Sequence, residues 1–178
     1  MKNVAVIGPM RSGKDTVGEY LVTRHKYVRL AFADAIKQEV ADTVSNADNR
    51  LWTVDDINDQ KTRFRPLLQW WGTEFRRHDN PNYWVNKLEE RIFPLSSHFR
   101  LVVTDARFVN ELQMLKRRDF VVIRLDPDYE MQKAFGVKGS VMEDDSENEW
   151  KEWPPDYTFE NKHSAFEVLA KQIQSVLE

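Results

Sequence analysis

An α/β fold, with a parallel sheet carrying helices on both faces, is what this chain of 178 residues predicts. Apolar runs of strand length alternate with longer amphipathic stretches along nearly the whole sequence. Two of those runs, Arg100-Leu101-Val102-Val103-Thr104 and Phe120 to Leu125, are continuous in their apolar centres. Strands buried on both faces of a parallel sheet read this way. The third observation is Gly8-Pro9-Met10-Arg11-Ser12-Gly13-Lys14, directly after Val4-Ala5-Val6-Ile7. A glycine, four residues and Gly-Lys between a strand and a helix form a loop that cradles phosphate.

The elements follow in order. Val4 to Ile7 is the first strand, and the loop after it leads into a helix from about Asp15 to Arg24, with Val17, Tyr20 and Leu21 on its apolar side. Gly8 and Gly13 let the backbone aim successive N–H groups at phosphate oxygens, and the helix adds its positive N-terminus. Lys14 reaches the outer phosphates as a point charge on a flexible stem. This P-loop, or Walker A, pattern implies nucleoside triphosphate binding. Tyr27 to Phe32 reads as a second strand, followed by a helix from Ala33 to about Val44. Ser45 to Lys61 is polar and turn-rich, with a capped helical turn at Thr53, three residues before Asp56. Arg65 to Arg77 is strongly helical, His78 to Asn82 is a loop, and Pro81 introduces a helix over Tyr83 to Ile92.

Arg100 to Thr104 is the central buried strand, with Asp105 at its end. A helix over Phe108 to Arg118, the strand Phe120 to Leu125 and a long polar segment over 126–155 come next. Connections of that length are lids or disordered segments. Tyr157 to Phe159 is a short last strand, and Ser164 caps a closing helix to Leu177. One domain over 1–178 is expected, with an acceptor-binding helical region at about 33–97 and a lid at about 127–155. Ligands of such sheets bind at the C-terminal strand ends, where Gly8, Phe32, Asp105 and Asp126 all fall.

Composition bounds the function. Net charge is -3, which does not suggest a general nucleic-acid-binding surface, and the absence of cysteine excludes disulfides and zinc-thiolate sites. No apolar run is long enough to span a bilayer, and Met1-Lys2-Asn3 runs straight into a strand, so a cytoplasmic protein is expected. Asn161-Lys162-His163-Ser164 lacks the aspartate of a guanine-reading motif, which removes support for a GTPase. A small kinase fits better, since it needs two phosphate sites, a metal and a lid.

Several residues carry that chemistry. Asp15 stands where a Ser or Thr usually binds Mg²⁺ after the lysine, with Thr16 one place on; it holds metal or faces the acceptor. Asp105 is either a second metal carboxylate or a cap on the next helix. Arg107 could neutralise charge on a transferred phosphoryl group. Helical spacing puts Gln69, Thr73 and Arg76 on one face, where an amide reads a base edge and an arginine clamps a phosphate. Trp70 and Trp71 read as core; Tyr83 and Trp84 are core or stack on a base. His25, His78, His98 and His163 read as surface or packing residues, and a phosphate acceptor needs no general base because it is largely dianionic at neutral pH.

Taken together, Arg11-Ser12-Gly13-Lys14-Asp15-Thr16, Phe32-Ala33-Asp34-Ala35-Ile36-Lys37, Leu68-Gln69 with Gly72-Thr73-Glu74, Tyr83-Trp84-Val85, and Thr104-Asp105-Ala106-Arg107-Phe108 with Asn110-Glu111 resemble the deoxynucleoside monophosphate kinases of bacteriophages. Phe159-Glu160-Asn161 is similar to that family's adenine-side turn, and the resemblance covers nearly the whole chain in order. It implies a nucleoside-monophosphate-kinase fold and γ-phosphoryl transfer from ATP, with Mg²⁺, to a deoxynucleoside monophosphate, in the host cytoplasm if the source is viral. By the same resemblance Lys37, Arg76 or Arg77, and Arg107 would surround the acceptor phosphate, Gln69 and Trp84 would lie near its nucleoside, and Asn161 would serve ATP. The chain differs from the family at Asp144, where a lid histidine usually precedes Ser146-Glu147, and at Asp126-Pro127, where the family has Arg-Pro; here Arg124 comes two residues earlier. Lys133 and Lys138 are the lid's candidate phosphate contacts. The alternatives are a phosphomevalonate kinase of the animal type, which shares the Ser-Gly-Lys-Asp loop, and a triphosphate-binding regulatory protein without transferase activity. Partners are small molecules, without nucleic acid or membrane, and a homodimer is compatible with the tryptophan-rich middle.

Overall fold

The computed structural model describes residues 2–134, 149–162 and 165–178. Most of the expected lid, including Lys138, Asp144, Ser146 and Glu147, lies outside the described residues, as do His163 and the expected cap Ser164. The chain divides into two compact units, one of Met1–Leu30 with Ile92–Glu178 and one of Ala31–Arg91.

The first unit holds a five-stranded sheet in the order β2-β3-β1-β4-β5, all strands parallel. The strands are β1 (Asn3–Ile7), β2 (Val28–Leu30), β3 (Leu101–Val103), β4 (Phe120–Pro127) and β5 (Tyr157–Asn161). Central β1 pairs Val4 with Val102 on one side and Val121 on the other. Both faces of β1 must then be covered, and Val4 to Ile7 are fully buried. Between the strands run α1 (Lys14–His25), α7 (Val109–Arg117) and, after β5, α9 (Phe166–Leu177). From β1 the chain moves toward the β2 edge, and from β3 it moves toward β4, in the opposite direction. Right-handed crossovers therefore put α1 and α7 on opposite faces. On the α1 face, Val17 and Leu21 join Val4, Val6, Val102 and Ile123 with Leu169, Ile173 and Leu177 of α9. Parallel order with helices on both faces is the architecture the alternation predicts.

Ala31–Arg91 is helical: α2 (Phe32–Asp48), α3 (Val54–Asp59), α4 (Lys61–Trp70), a π-helical turn (Trp71–Phe75), α5 (Arg76–Asp79) and the start of α6 (Tyr83–Leu95). Its own core gathers Val40, Ala41, Trp52, Ile57 and Phe64.

Four boundaries differ from expectation, each for a local reason. Edge strand β2 stops at Leu30, because buried Phe32 already starts α2. That helix runs past Val44 to Asp48, since its polar end is used: Ser45 Oγ accepts from the Trp52 amide at 2.8 Å, and Asp48 accepts from the Trp52 indole at 2.8 Å. Helix α4 begins at Lys61 rather than Arg65 and carries Pro66 inside it, at the cost of one backbone hydrogen bond. Helix α6 likewise continues past Ile92 to Leu95, with Pro94 inside. The capped turn at Thr53 forms as expected, with Thr53 and Asp56 exchanging side-chain and backbone hydrogen bonds.

Candidate active site

In the first unit the strand ends gather the loop and its partners. After β1 the backbone takes positive φ at Gly8 (147°), Arg11 (64°) and Gly13 (93°). A Cβ at Gly8 would stand 2.3 Å from the Leu125 carbonyl oxygen, and one at Gly13 2.3 Å from Asn161 Nδ2. Both positions thus need glycine for conformation and for space. Lys14 Nζ folds over the loop, donating to the carbonyls of Gly8 at 2.9 Å and Pro9 at 2.7 Å. Ser12 is fully buried, and among the described residues its Oγ has no hydrogen-bond partner. An orphaned hydroxyl inside a loop of inward-facing amides suits an oxyanion better than it suits a finished core.

Asn161, at the end of β5, donates from Nδ2 to the Ser12 carbonyl at 2.9 Å and is only 6% exposed. That bond braces the backbone of the loop at Ser12. Asp15 begins α1 with an exposed side chain, and its Oδ1 accepts from Thr104 Oγ1 at 3.0 Å. That bond ties the loop to the end of β3, beside Asp105, which is half-buried. Thr16, one residue on, lies in a groove with Glu19, Tyr20, Thr23 and Phe166 on the α9 side of α1.

The turn after Asp105 is built by a residue the sequence reading used only as part of a motif. Glu111 is 2% exposed, and its Oε2 accepts from the backbone N–H of Arg107 at 2.7 Å and of Phe108 at 3.2 Å. A buried carboxylate on two amides at a helix start fixes that turn and favours the α7 N-terminus. Arg107 projects from it with an exposed side chain. Glu149 adds a second acceptor at the same end, on a third amide, that of Val109, at 3.1 Å. Arg124 pairs with Asp126 at 2.8 Å, and its guanidinium lies 5.3 Å from the Trp150 ring centre. Lys133 is exposed on α8 (Tyr129–Ala134). His25, His78 and His98 contact Tyr20, Asp79 and Ser97, respectively.

Within Ala31–Arg91 the expected acceptor residues fall into different environments. Lys37 is half-buried on α2, and Gln69 is exposed on α4. The Thr73 hydroxyl folds back onto the Gln69 carbonyl at 2.8 Å. Trp84 is fully buried and donates its indole N–H to the Gly72 carbonyl at 3.0 Å. Of the two environments the sequence left open for Trp84, core or base stacking, its full burial is that of a core residue. Arg77 Nε donates to that same carbonyl at 2.9 Å, and its Nη1 to Pro81 at 3.3 Å. The π-helical turn explains why one carbonyl can serve two side chains, since widening the turn interrupts the i→i+4 ladder there.

A further residue, absent from the sequence expectations, organises this unit. Glu39 on α2 accepts from Trp71 Nε1 at 3.1 Å, from Arg76 Nε at 2.9 Å and from the Tyr83 hydroxyl. Burial pushes Glu39 up, but the hydrogen bonds from Tyr83, Trp71 and Arg76 outweigh it and hold the carboxyl below its ordinary value of 4.5. The same hydrogen bond to Glu39, reinforced by burial, raises Tyr83 above 10.0.

No protein-family model matches the chain. A protein of Acanthamoeba polyphaga mimivirus, provisionally named a deoxynucleotide monophosphate kinase, is 27% identical over 143 residues, covering 69% of this chain and 72% of its own. Among solved structures, the shikimate kinase of Acinetobacter baumannii in complex with shikimate covers 99% of this chain and 93% of its own, with a TM-score of 0.53 at 18% identity. A sugar kinase from Janibacter superposes with a TM-score of 0.54 at 15% identity, over 99% of this chain and 94% of its own. At such identities the likeness is one of fold alone: the chain shares the parallel-sheet α/β fold of these two proteins. Among the described residues, no helix is long and apolar enough to cross a membrane.

Proposed function

We propose that this chain moves the γ-phosphoryl group of ATP to a deoxynucleoside 5′-monophosphate, giving the diphosphate and ADP. The observation that carries phosphoryl transfer is the loop itself. Gly8 and Gly13 hold it open, Lys14 lies across it, and a carboxylate, Asp15, is tied to the end of β3 by Thr104. The deoxynucleotide as acceptor is supported by the mimivirus relative and by the motif series that resembles the deoxynucleoside monophosphate kinases of bacteriophages.

The donor set fits a hard cation with oxygen ligands. Asp15 and Asp105 would hold Mg²⁺, with Thr16 as a third candidate that faces the groove along α1. When bound, the ion would neutralise charge on the β- and γ-phosphates. The loop amides and Lys14 bind the donor, and Ser12 Oγ offers one more hydrogen bond inside the loop. In the sheet-containing unit Arg107, and in the helical unit Arg76 or Arg77, Lys37 and Gln69, are each proposed as acceptor residues by the family resemblance, since a dianion needs cations to approach a second polyanion. No residue has to remove a proton, since a phosphate monoester is already a competent nucleophile.

The test is a coupled assay of ADP release with ATP and Mg²⁺ over the four deoxynucleoside monophosphates, their ribo counterparts and phosphomevalonate. Turnover with a deoxynucleotide is expected. Turnover with phosphomevalonate alone would replace the acceptor, and silence on all of them with ATP still bound would leave a binding protein.

A further inference from the structure

Arg76 sits in an unusual setting for a surface arginine. Its Nε is held by Glu39 Oε2 at 2.9 Å, and its guanidinium carbon lies 4.9 Å from the Tyr83 ring centre and 5.2 Å from that of Phe75. Among the described residues the Arg76 side chain makes no hydrogen bond besides the one to Glu39. Its two terminal nitrogens are therefore uncommitted, while the stem and Nε are fixed by a carboxylate and two ring faces. Arg77, its neighbour, is spent on the carbonyls of Gly72 and Pro81. An arginine whose Nε is anchored and whose fork is open suits bidentate recognition of an oxoanion, because little rotamer freedom is left to lose.

Glu39 is what holds that state. It is about one-fifth exposed and accepts three donors, from the π-helical turn, from α5 and from α6. Trp71 and Tyr83 fix the carboxylate, and the carboxylate fixes Arg76. We infer that Glu39 is a positioning residue, which through Trp71, Tyr83 and Arg76 presents the Arg76 fork to the phosphate group of the acceptor and leaves Arg77 a packing role. The inference rests on the kinase reading for the identity of the acceptor, but not for the geometry of the fork.

The experiment is a double-mutant cycle on the full chain with wild type, Glu39→Gln, Arg76→Ala and the double variant. Acceptor KM, ATP KM and kcat are measured for each. Glu39→Gln should raise the acceptor KM about tenfold or more and leave the ATP KM within about twofold. In the double variant the acceptor KM should equal that of Arg76→Ala alone, because both changes remove one unit. Tyr83→Phe, which keeps the Arg76 contact, should raise acceptor KM by less than Glu39→Gln. Additive effects, or equal losses toward ATP and acceptor, would overturn the inference in favour of a purely structural carboxylate.

Should wild type turn over no acceptor, the kinase reading falls by itself. The fork is then judged by the Kd of inorganic phosphate in the presence of saturating ADP, by calorimetry on the same four proteins. Weaker binding in Glu39→Gln and Arg76→Ala alike would uphold it, and equal affinity in all four would overturn it. If Glu39→Gln does not fold, Glu39→Asp, which keeps the charge on a shorter stem, is put through the same cycle and must show the same selective loss.

Discussion

At Gly13 two constraints coincide, a φ of 93° and an Asn161 amide where a Cβ would stand. Gly13→Ala should therefore displace the loop, and ATP binding should weaken by at least about tenfold, given the ~1–3 kcal/mol cost of such a backbone strain. Calorimetric titration with ATP reads this directly; an unchanged Kd would mean the loop tolerates the side chain and is not built to this tolerance. Lys14→Ala addresses chemistry instead. Turnover should fall roughly 10³-fold or more, as expected for a charge aimed at the transferred group. Near wild-type turnover would remove the lysine from the site. Glu111 belongs to the same scale. It is buried with two backbone amides on one oxygen, so Glu111→Ala should cost about 1–3 kcal/mol in urea unfolding. It should also lower kcat, because the Asp105-to-Arg107 turn loses its brace. A variant as stable as wild type would show that water or another acceptor takes over.

Elements differ in how far they can be read from a sequence. Strands β1, β3 and β4 were legible because burial on both faces demands continuous apolar residues, and the loop because its glycines have a backbone reason to be there. Edge strand β2 was overread, since Ala31 and Phe32 are as apolar in a helix start as in a strand. The Glu39 cluster could not be read at all. Its donors lie 32, 37 and 44 residues away, and no local pattern links them. Trp84 shows the reverse difficulty: a tryptophan serves a core or a base equally well, and no local pattern says that this one is fully buried with its N–H on the Gly72 carbonyl. The cluster has a pH signature of its own. Glu39 titrates lower when folded, so its stabilisation is complete above about 4.5 and is lost as pH falls below that value. Tyr83 titrates higher when folded, so its share is complete below 10.0 and fades as pH rises beyond it. Denaturant midpoints across pH should therefore show Glu39→Gln losing most of its deficit on acidification, and Tyr83→Phe losing its deficit on the alkaline side. A deficit independent of pH in both variants would mean that neither ionisation is coupled to folding.

Over the whole molecule, the parallel order β2-β3-β1-β4-β5 brings the ends of β1, β3 and β5 to one side of the sheet, where Gly8 to Lys14, Asp105 and Asn161 meet. These residues come from segments far apart in the chain, yet all lie in the unit of Met1–Leu30 with Ile92–Glu178. A ligand held there binds the folded state alone, because the unfolded chain has no loop to offer. ATP with Mg²⁺ at a hundredfold excess over Kd should then stabilise by about 2.7 kcal/mol. For a chain of this length that is a rise in Tm of roughly 5–11 °C. The two units have separate cores, so a calorimetric scan with two transitions is a real outcome, and it sharpens the expectation. ATP should then move the transition of the sheet-containing unit, which is identified by also following Trp52 and Trp71 fluorescence from the helical one through single Trp→Phe variants. In Lys14→Ala the shift should shrink in proportion to the lost affinity. A wild-type Tm indifferent to ATP, or a shift of equal size in Lys14→Ala, would separate the loop from nucleotide binding and remove the foundation of the kinase reading.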